Sequence, residues 1–282
     1  MNYIKMKNKR ELLQLLAKPS YKKVKGFILA GGTDLIVSME HFGLDPDLLV
    51  DAKGIKSLSG ISKSGNRVRI GSFTTVTELL HSDLIAEAAP LLREAAAAFA
   101  ADQIRNRSTI GGNICNASPA GDLIPPLYAL EAKLKLESSK GSRTLSIENF
   151  FKGPGKTVLK PNEILSEISF SAVPSGRYAL FYKLGQRESM AIAVVSIATV
   201  FDLEKEKYKN VRIGLGAVAP TVIRAYRAEK FLDGKVATEE IAEEAGKIAS
   251  EESSPISDVR GSAEYRRLMI ERLTKELLLN RK

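Results

Sequence analysis

The chain has no tryptophan, a single cysteine and two histidines among 282 residues. The lone Cys115 excludes an intrachain disulfide, and with it any cysteine-ligated cluster or zinc site built by this chain alone. His41 and His81 are too few and too far apart for a metal-ligand set. No run approaches the roughly 18 uncharged apolar residues that a membrane span requires. The opening "MNYIKMKNKRELLQ" is charged where a secretory signal is apolar, so the expectation is a cytoplasmic chain without a membrane span. No Ser/His/Asp set stands at a workable spacing, and the carboxylates gather in helical, solvated runs such as "ATEEIAEEAG". A cofactor that carries the chemistry while the protein binds and orients it fits this pattern.

Charge of one sign is concentrated. Residues 1–25 hold seven Lys and one Arg against one Glu, net +7 of the chain's +9. That segment lacks the interleaved aromatics of a single-strand stacking platform. A basic tip on a nearly neutral body argues against nucleic acid; it is a solvated face or a patch facing an acidic partner.

The composition, 44% hydrophobic, supports a sizeable core divided between two domains. "NKRELLQLLAKP" predicts a helix with Asn8 as N-cap, Glu11 three residues on and Pro19 past the end. "VKGFILA", "DLLVDA" and "NRVRIGS" predict strands, and "TVTELLHSDLI" one helix. "PLLREAAAAFAADQI" predicts another, with Pro90 in its first turn and Phe99 as its large aromatic. "DLIPPLYALEA" predicts a short helix, and "AKLKLES" with "SRTLSI" a hairpin about Lys140-Gly141. Long strands follow in "EILSEISF", "GRYALFYKLG", "MAIAVVSIATVFDLE" and "KNVRIGLGAVA", and three helical segments close the chain. A boundary near residue 172 is expected at the Pro174-Ser175-Gly176 turn.

Two nucleotide-like motifs fail on inspection. "GPGKT" at 153–157 lacks the P-loop's first glycine, because position 150 is Phe. "GLGAVA" from Gly214 has the letters of a dinucleotide fingerprint but runs straight into Pro220 without a βαβ unit, so a strand end is expected. Two glycine pairs remain, in "LAGGTDL" and, about eighty residues on, "TIGGNICNASPAGD". A Gly-Gly turn admits positive φ and leaves backbone N–H groups bare for a phosphate. The second adds Thr109, Asn113, Asn116, Ser118 and Asp122, small hydrogen-bonding groups suited to ribityl or phosphate oxygens.

Taken together, "LAGGTDL", "TIGGNICNASPAGDLIPPLYAL", "FFKGPGKTVLKPNEIL", "YKLGQRESMAIAVVSIA", "RIGLGAVAPTVIRA" and "SDVRGSAEYRRLM" make the chain resemble the FAD-binding subunits of the molybdenum hydroxylases. These include xanthine dehydrogenase, aerobic carbon monoxide dehydrogenase and nicotinate dehydrogenase. The segments occur in the family's order and span nearly the whole chain.

The resemblance implies an α+β fold: a two-lobed FAD-binding domain of the PCMH or vanillyl-alcohol-oxidase type at 1–172, with lobes of about 1–55 and 56–172. A C-terminal domain of the CO dehydrogenase flavoprotein type follows at 173–282. It implies that Ala30, Gly31, Gly32, Thr33, Asp34 and Leu35 cradle the FAD diphosphate, with Leu29 packing nearby. Thr109, Ile110, Gly111, Gly112 and Asn113 close from the other side, and Asp122 hydrogen-bonds the cofactor. Phe99 and Leu165 fall beside the cofactor and Lys183 near the flavin ring, while Phe181 and Tyr182 compete for a stacking position. Cys115 reads as a filler.

By the same resemblance FAD is bound non-covalently, and no metal is held. Partners carry two [2Fe–2S] clusters and molybdopterin, and NAD⁺ or another acceptor takes the electrons. The single cysteine argues against the hydroxybenzoyl-CoA reductase branch, whose flavin subunit carries an extra cluster. Two rivals stand: a self-sufficient FAD-dependent oxidoreductase, which needs acid–base residues beside the ring, and a basic binding module without flavin, which leaves the paired glycine turns without a purpose.

Overall fold

The computed structural model describes residues 1–187 and 190–280. Its first lobe is built from β1 (Asn2–Lys5), α1 (Lys9–Ala17), β2 (Gly26–Leu29), α2 (Leu35–His41) and β3 (Leu48–Asp51). The strands form a parallel sheet in the order β1-β3-β2. Asn8 caps α1 by accepting from Glu11 N, as its sequence predicts, and the helix buries Leu12, Leu13 and Leu16. That face packs with Val50, Ile55 and Leu58 in a small core. β1 is not legible in the sequence: all four of its residues are exposed, so no apolar alternation marks it.

The second lobe starts with β4 (Ile61–Ser64) and β5 (Arg67–Gly71). Six helices follow: α3 (Val76–Leu80), α4 (Asp83–Ala88), α5 (Pro90–Ala97), α6 (Asp102–Arg105), α7 (Ile110–Asn116) and α8 (Ile124–Ala129). β6 (Lys133–Ser138), β7 (Gly141–Ser146), β8 (Phe151–Gly153), β9 (Lys156–Thr157) and β10 (Ile164–Ser171) complete it. Five of its strands make one sheet in the order β4-β5-β10-β6-β7.

Two expected helices are shorter than predicted. Residues 75–85 divide into α3 and α4 because Ser82 caps a new start by accepting from Ile85 N. The alanine-rich helix ends at Ala97, and Phe99 lies in the turn beyond it. Ala100 there takes φ +42°, and Arg105 donates to the carbonyls of Ala97, Phe99 and Ala100. A tertiary cation thus captures the carbonyls that helix propensity alone would have kept.

The C-terminal region carries β11 (Tyr178–Leu184), β12 (Val195–Glu204), β13 (Lys207–Gly216) and β14 (Ile223–Arg224), then α9 (Tyr226–Leu232), α10 (Glu239–Glu251) and α11 (Ala263–Leu279). Its antiparallel sheet runs β11-β12-β13-β14. Val195, Ile197 and Ile213 pack with Ala242, Ala245 and Ile270 of the closing helices. On the other face Ala179, Phe181, Ala198 and Val200 join the second lobe's core with Leu91, Leu92 and Leu127. Burial on both faces explains why "VSIATV", residues 195–200 of β12, is apolar apart from Ser196 and Thr199, and all six are buried. The glycines of "GLGAVA" serve that packing: a Cβ on Gly214 would stand 2.5 Å from the Pro125 carbonyl oxygen at the start of α8.

Candidate functional site

The first glycine turn leaves the end of β2 and enters α2. Gly32 takes φ +80°, a conformation that disfavours side chains. A Cβ on Gly31 would collide with the Arg107 carbonyl, so this glycine lets one lobe's turn rest directly on the other lobe. The N–H groups of Gly31, Gly32, Thr33 and Asp34 donate to nothing among the described residues. Leu29 is buried beneath them.

The second turn is built differently from the expectation. Neither Gly111 nor Gly112 has positive φ; both belong to the first turn of α7, which Thr109 caps by accepting from Gly112 N. Ile110 N donates to Thr74 O, Gly111 N to Ser72 O and Asn113 N to Thr109 O. Its N–H groups are therefore engaged rather than bare. Gly111 is required for a close approach, since a Cβ there would lie 2.5 Å from Ser72 O. Gly112 is exposed, and an added Cβ would meet only Thr109 Oγ1, at 2.9 Å. What this turn offers a ligand is open space and side chains.

Two side-chain contacts bring the turns together across the lobes. Thr33 Oγ1 and Ser108 Oγ lie 2.9 Å apart, and Asn116 Nδ2 donates to Asp34 Oδ1 at 3.2 Å. Ser108 is an inter-lobe contact that the sequence does not disclose: it precedes the glycine motif, and nothing local distinguishes it from other loop serines.

Beyond α7 the chain reaches Asp122, whose Oδ2 accepts from Lys183 Nζ at 2.6 Å. The side chains of Lys183 and Asp122 are only 7% and 9% exposed. Burial pushes the Asp122 carboxyl up to about 6, against the opposing pull of Lys183. Lys183 also donates to Ala98 O at 3.0 Å, next to the partly buried Phe99. Asp122 Oδ1 and Asn113 Oδ1 are buried and accept from nothing among the described residues. Such orphaned acceptors are costly unless a ligand donates to them.

Not every expected residue joins this group. β11 alternation sends Phe181 and Lys183 to one face and Tyr182 to the other, where it is 45% exposed. Tyr182 is thus placed away from the Lys183–Asp122 pair, and Phe181 is the aromatic on the pair's side. Leu165 is a core residue of β10, paired with Leu136. Cys115 is partly buried against the second-lobe core, and burial pushes its thiol up to about 12, which favours the thiol over the thiolate near neutral pH. A cleft of about 220 Å³ beside Ser118–Ala120 is flanked by Arg260 and Arg266, but both cations are already paired with Asp258.

Free N–H groups on one lobe, hydroxyls and orphaned acceptors on the other, and a buried cation at the far end suit an extended ligand with phosphates in its middle. The arrangement is that of a dinucleotide-binding protein assembled from two lobes. Residues 1–174 match the family described as the FAD binding domain in molybdopterin dehydrogenase, and residues 180–280 match the CO dehydrogenase flavoprotein C-terminal domain. The chain belongs to this family, the FAD-binding medium subunits of the molybdenum hydroxylases, and is an oxidoreductase subunit.

It is 35% identical over 251 residues to the carbon monoxide dehydrogenase medium chain of Hydrogenophaga pseudoflava, covering 89% of this chain and 87% of that one. It is 32% identical over 253 residues to the xanthine dehydrogenase FAD-binding subunit of Escherichia coli O157:H7, with the same coverage. A solved carbon monoxide dehydrogenase from Hydrogenophaga pseudoflava superposes with a TM-score of 0.93 at 33% identity, over 98% of this chain and 95% of that chain. The mixed helix and strand architecture is thus that of the family. No helix among the described residues is long and apolar enough to cross a membrane.

Proposed function

We propose that this chain takes electrons from the [2Fe–2S] clusters of one partner subunit, within an assembly whose other partner holds molybdopterin, and passes them through non-covalently bound FAD to NAD⁺ or another acceptor. FAD, when bound, supplies two-electron acceptance and onward transfer. The chain's own residues bind and orient it. The free N–H groups of Gly31 to Asp34 receive the diphosphate, and Thr109 and Asn113 face it from α7. The Thr33–Ser108 and Asn116–Asp34 contacts fix the distance between the two lobes. Lys183 would hold positive charge at the flavin end of the cofactor, Asp122 Oδ1 would accept a hydrogen bond from it, and Phe99 and Phe181 would flank that end. The FAD-binding unit ends near residue 172, and the chain works in the cytoplasm.

The observation that carries this reading is the meeting of the two turns beside a buried Lys183–Asp122 pair that still has an unpartnered oxygen. Among the described residues nothing beside that pair resembles a substrate base or nucleophile, which supports reducing equivalents arriving from another chain.

The chain expressed alone, and with its genomic neighbours, tests the proposal. Acid precipitation should release all flavin from the lone chain, and hydroxylation of a purine, aldehyde or aromatic heterocycle should need the neighbours. Hydroxylation by the lone chain without molybdenum would overturn the assembly reading, and flavin retained in the pellet would overturn non-covalent binding.

A further inference from the structure

β11 is an edge strand of the C-terminal sheet, so its outer N–H groups need partners from outside the sheet. One is supplied by a side chain: Phe181 N donates to Glu94 Oε2 of α5 at 2.7 Å. Two residues on, Lys183 Nζ donates to Ala98 O, at the end of the same helix. Glu94 and Ala98 are four residues apart, an axial rise of about 6 Å in a helix. Phe181 and Lys183 are two apart, about 6.6 Å along a strand. The two contacts therefore tie two successive same-face positions of β11 to successive turns at the end of α5.

Arg105 occupies the carbonyls of Ala97, Phe99 and Ala100. Ala98 O is thereby left for Lys183.

We infer that Glu94 is a positioning residue: its carboxylate fixes the register of β11 on α5 and so holds the Lys183 ammonium against Asp122 and the cofactor end of the site. The link to the cofactor rests on the function proposed above; the register does not. A carboxylate suits the task because a charged acceptor makes a shorter, stronger bond to a backbone N–H than a neutral one. Gln keeps an acceptor at the same reach, whereas Ala removes it.

The whole chain carrying Glu94→Gln, Glu94→Ala, Lys183→Met, or the Ala and Met changes together provides the test. Without cofactor, acylation of Lys183 should quicken from a few-fold to about tenfold in Glu94→Ala relative to the other lysines, and return close to wild type in Glu94→Gln. After FAD loading, the flavin reduction potential of Glu94→Ala should move in the direction of Lys183→Met. The double variant should match Lys183→Met alone. Unchanged Lys183 labelling in Glu94→Ala, or additive potential shifts in the double variant, would overturn the inference. If the wild-type chain takes up no FAD, the functional reading fails while the labelling still decides the register.

Discussion

Replacing Asp122 by Asn removes a buried carboxylate without changing its shape. In the folded chain this group binds its proton more tightly than when unfolded, its pKa rising from 3.8 to about 6 because burial outweighs the attraction of Lys183. Its contribution to stability is therefore fully present below about pH 4 and is lost as pH rises through about 6. At roughly 1.4 kcal/mol per pH unit, that displacement is worth about 3 kcal/mol. Asparagine does not titrate, so Asp122→Asn should gain about 3 kcal/mol on the wild type between about pH 4 and about pH 8. At about 2 °C per kcal/mol for a chain of this size, the difference in Tm should shift by about 6 °C in favour of the variant. Cofactor-free protein must be used, since a ligand that binds only the folded state adds its own stabilisation. Melting followed by circular dichroism is the suitable assay, because the chain has no tryptophan. A difference that stays flat across this range, or one that favours the wild type at high pH, would show that Lys183 rather than burial governs the pair.

Gly31→Ala should give soluble protein whose lobes are forced apart at Arg107, with flavin absorbance largely lost after loading; full occupancy would refute the direct seating of one turn on the other. Gly32→Val should also lose flavin, through its positive φ. Gly112→Ala should fold and melt within about 1 kcal/mol of wild type, because only the Thr109 hydroxyl must turn away; equal losses of fold at both positions would contradict the different conformations of the two turns. Cys115 should resist thiol reagents in the native chain near neutral pH and react only after denaturation, as mass spectrometry of the alkylated protein would show.

What the sequence discloses about this molecule depends on whether the determining contacts are local. Asn8, Glu11 and the leucines of α1 lie within one helix, and the β6–β7 hairpin within fourteen residues, so both are legible. The end of α5 is not, because Arg105 folds back from the next helix onto its carbonyls. The glycine motifs are recognisable as a pair, yet the reason for each glycine lies elsewhere in the chain: Arg107 for Gly31, Ser72 for Gly111, Pro125 for Gly214. Positive φ is required at Gly32 alone among the four turn glycines. That Phe181 and Lys183 share one face while Tyr182 takes the other depends on the register of β11, which a one-residue slip would invert.

The shared core beneath β11 and β12 bears on how this family can be recombined. Ala179, Phe181, Ala198 and Val200 complete a core whose other half comes from α5 and α8, although the two family matches part between residues 174 and 180. Severed there, the N-terminal piece would present Leu91, Leu92 and Leu127 to water, a contiguous apolar patch prone to self-association. The stretch that matches the FAD-binding family is thus smaller than the unit that shares this core. Grafting a relative's C-terminal segment onto this chain would succeed only if that relative carried side chains complementary to this chain's α5 and α8, whatever the fidelity of the graft at its cofactor contacts.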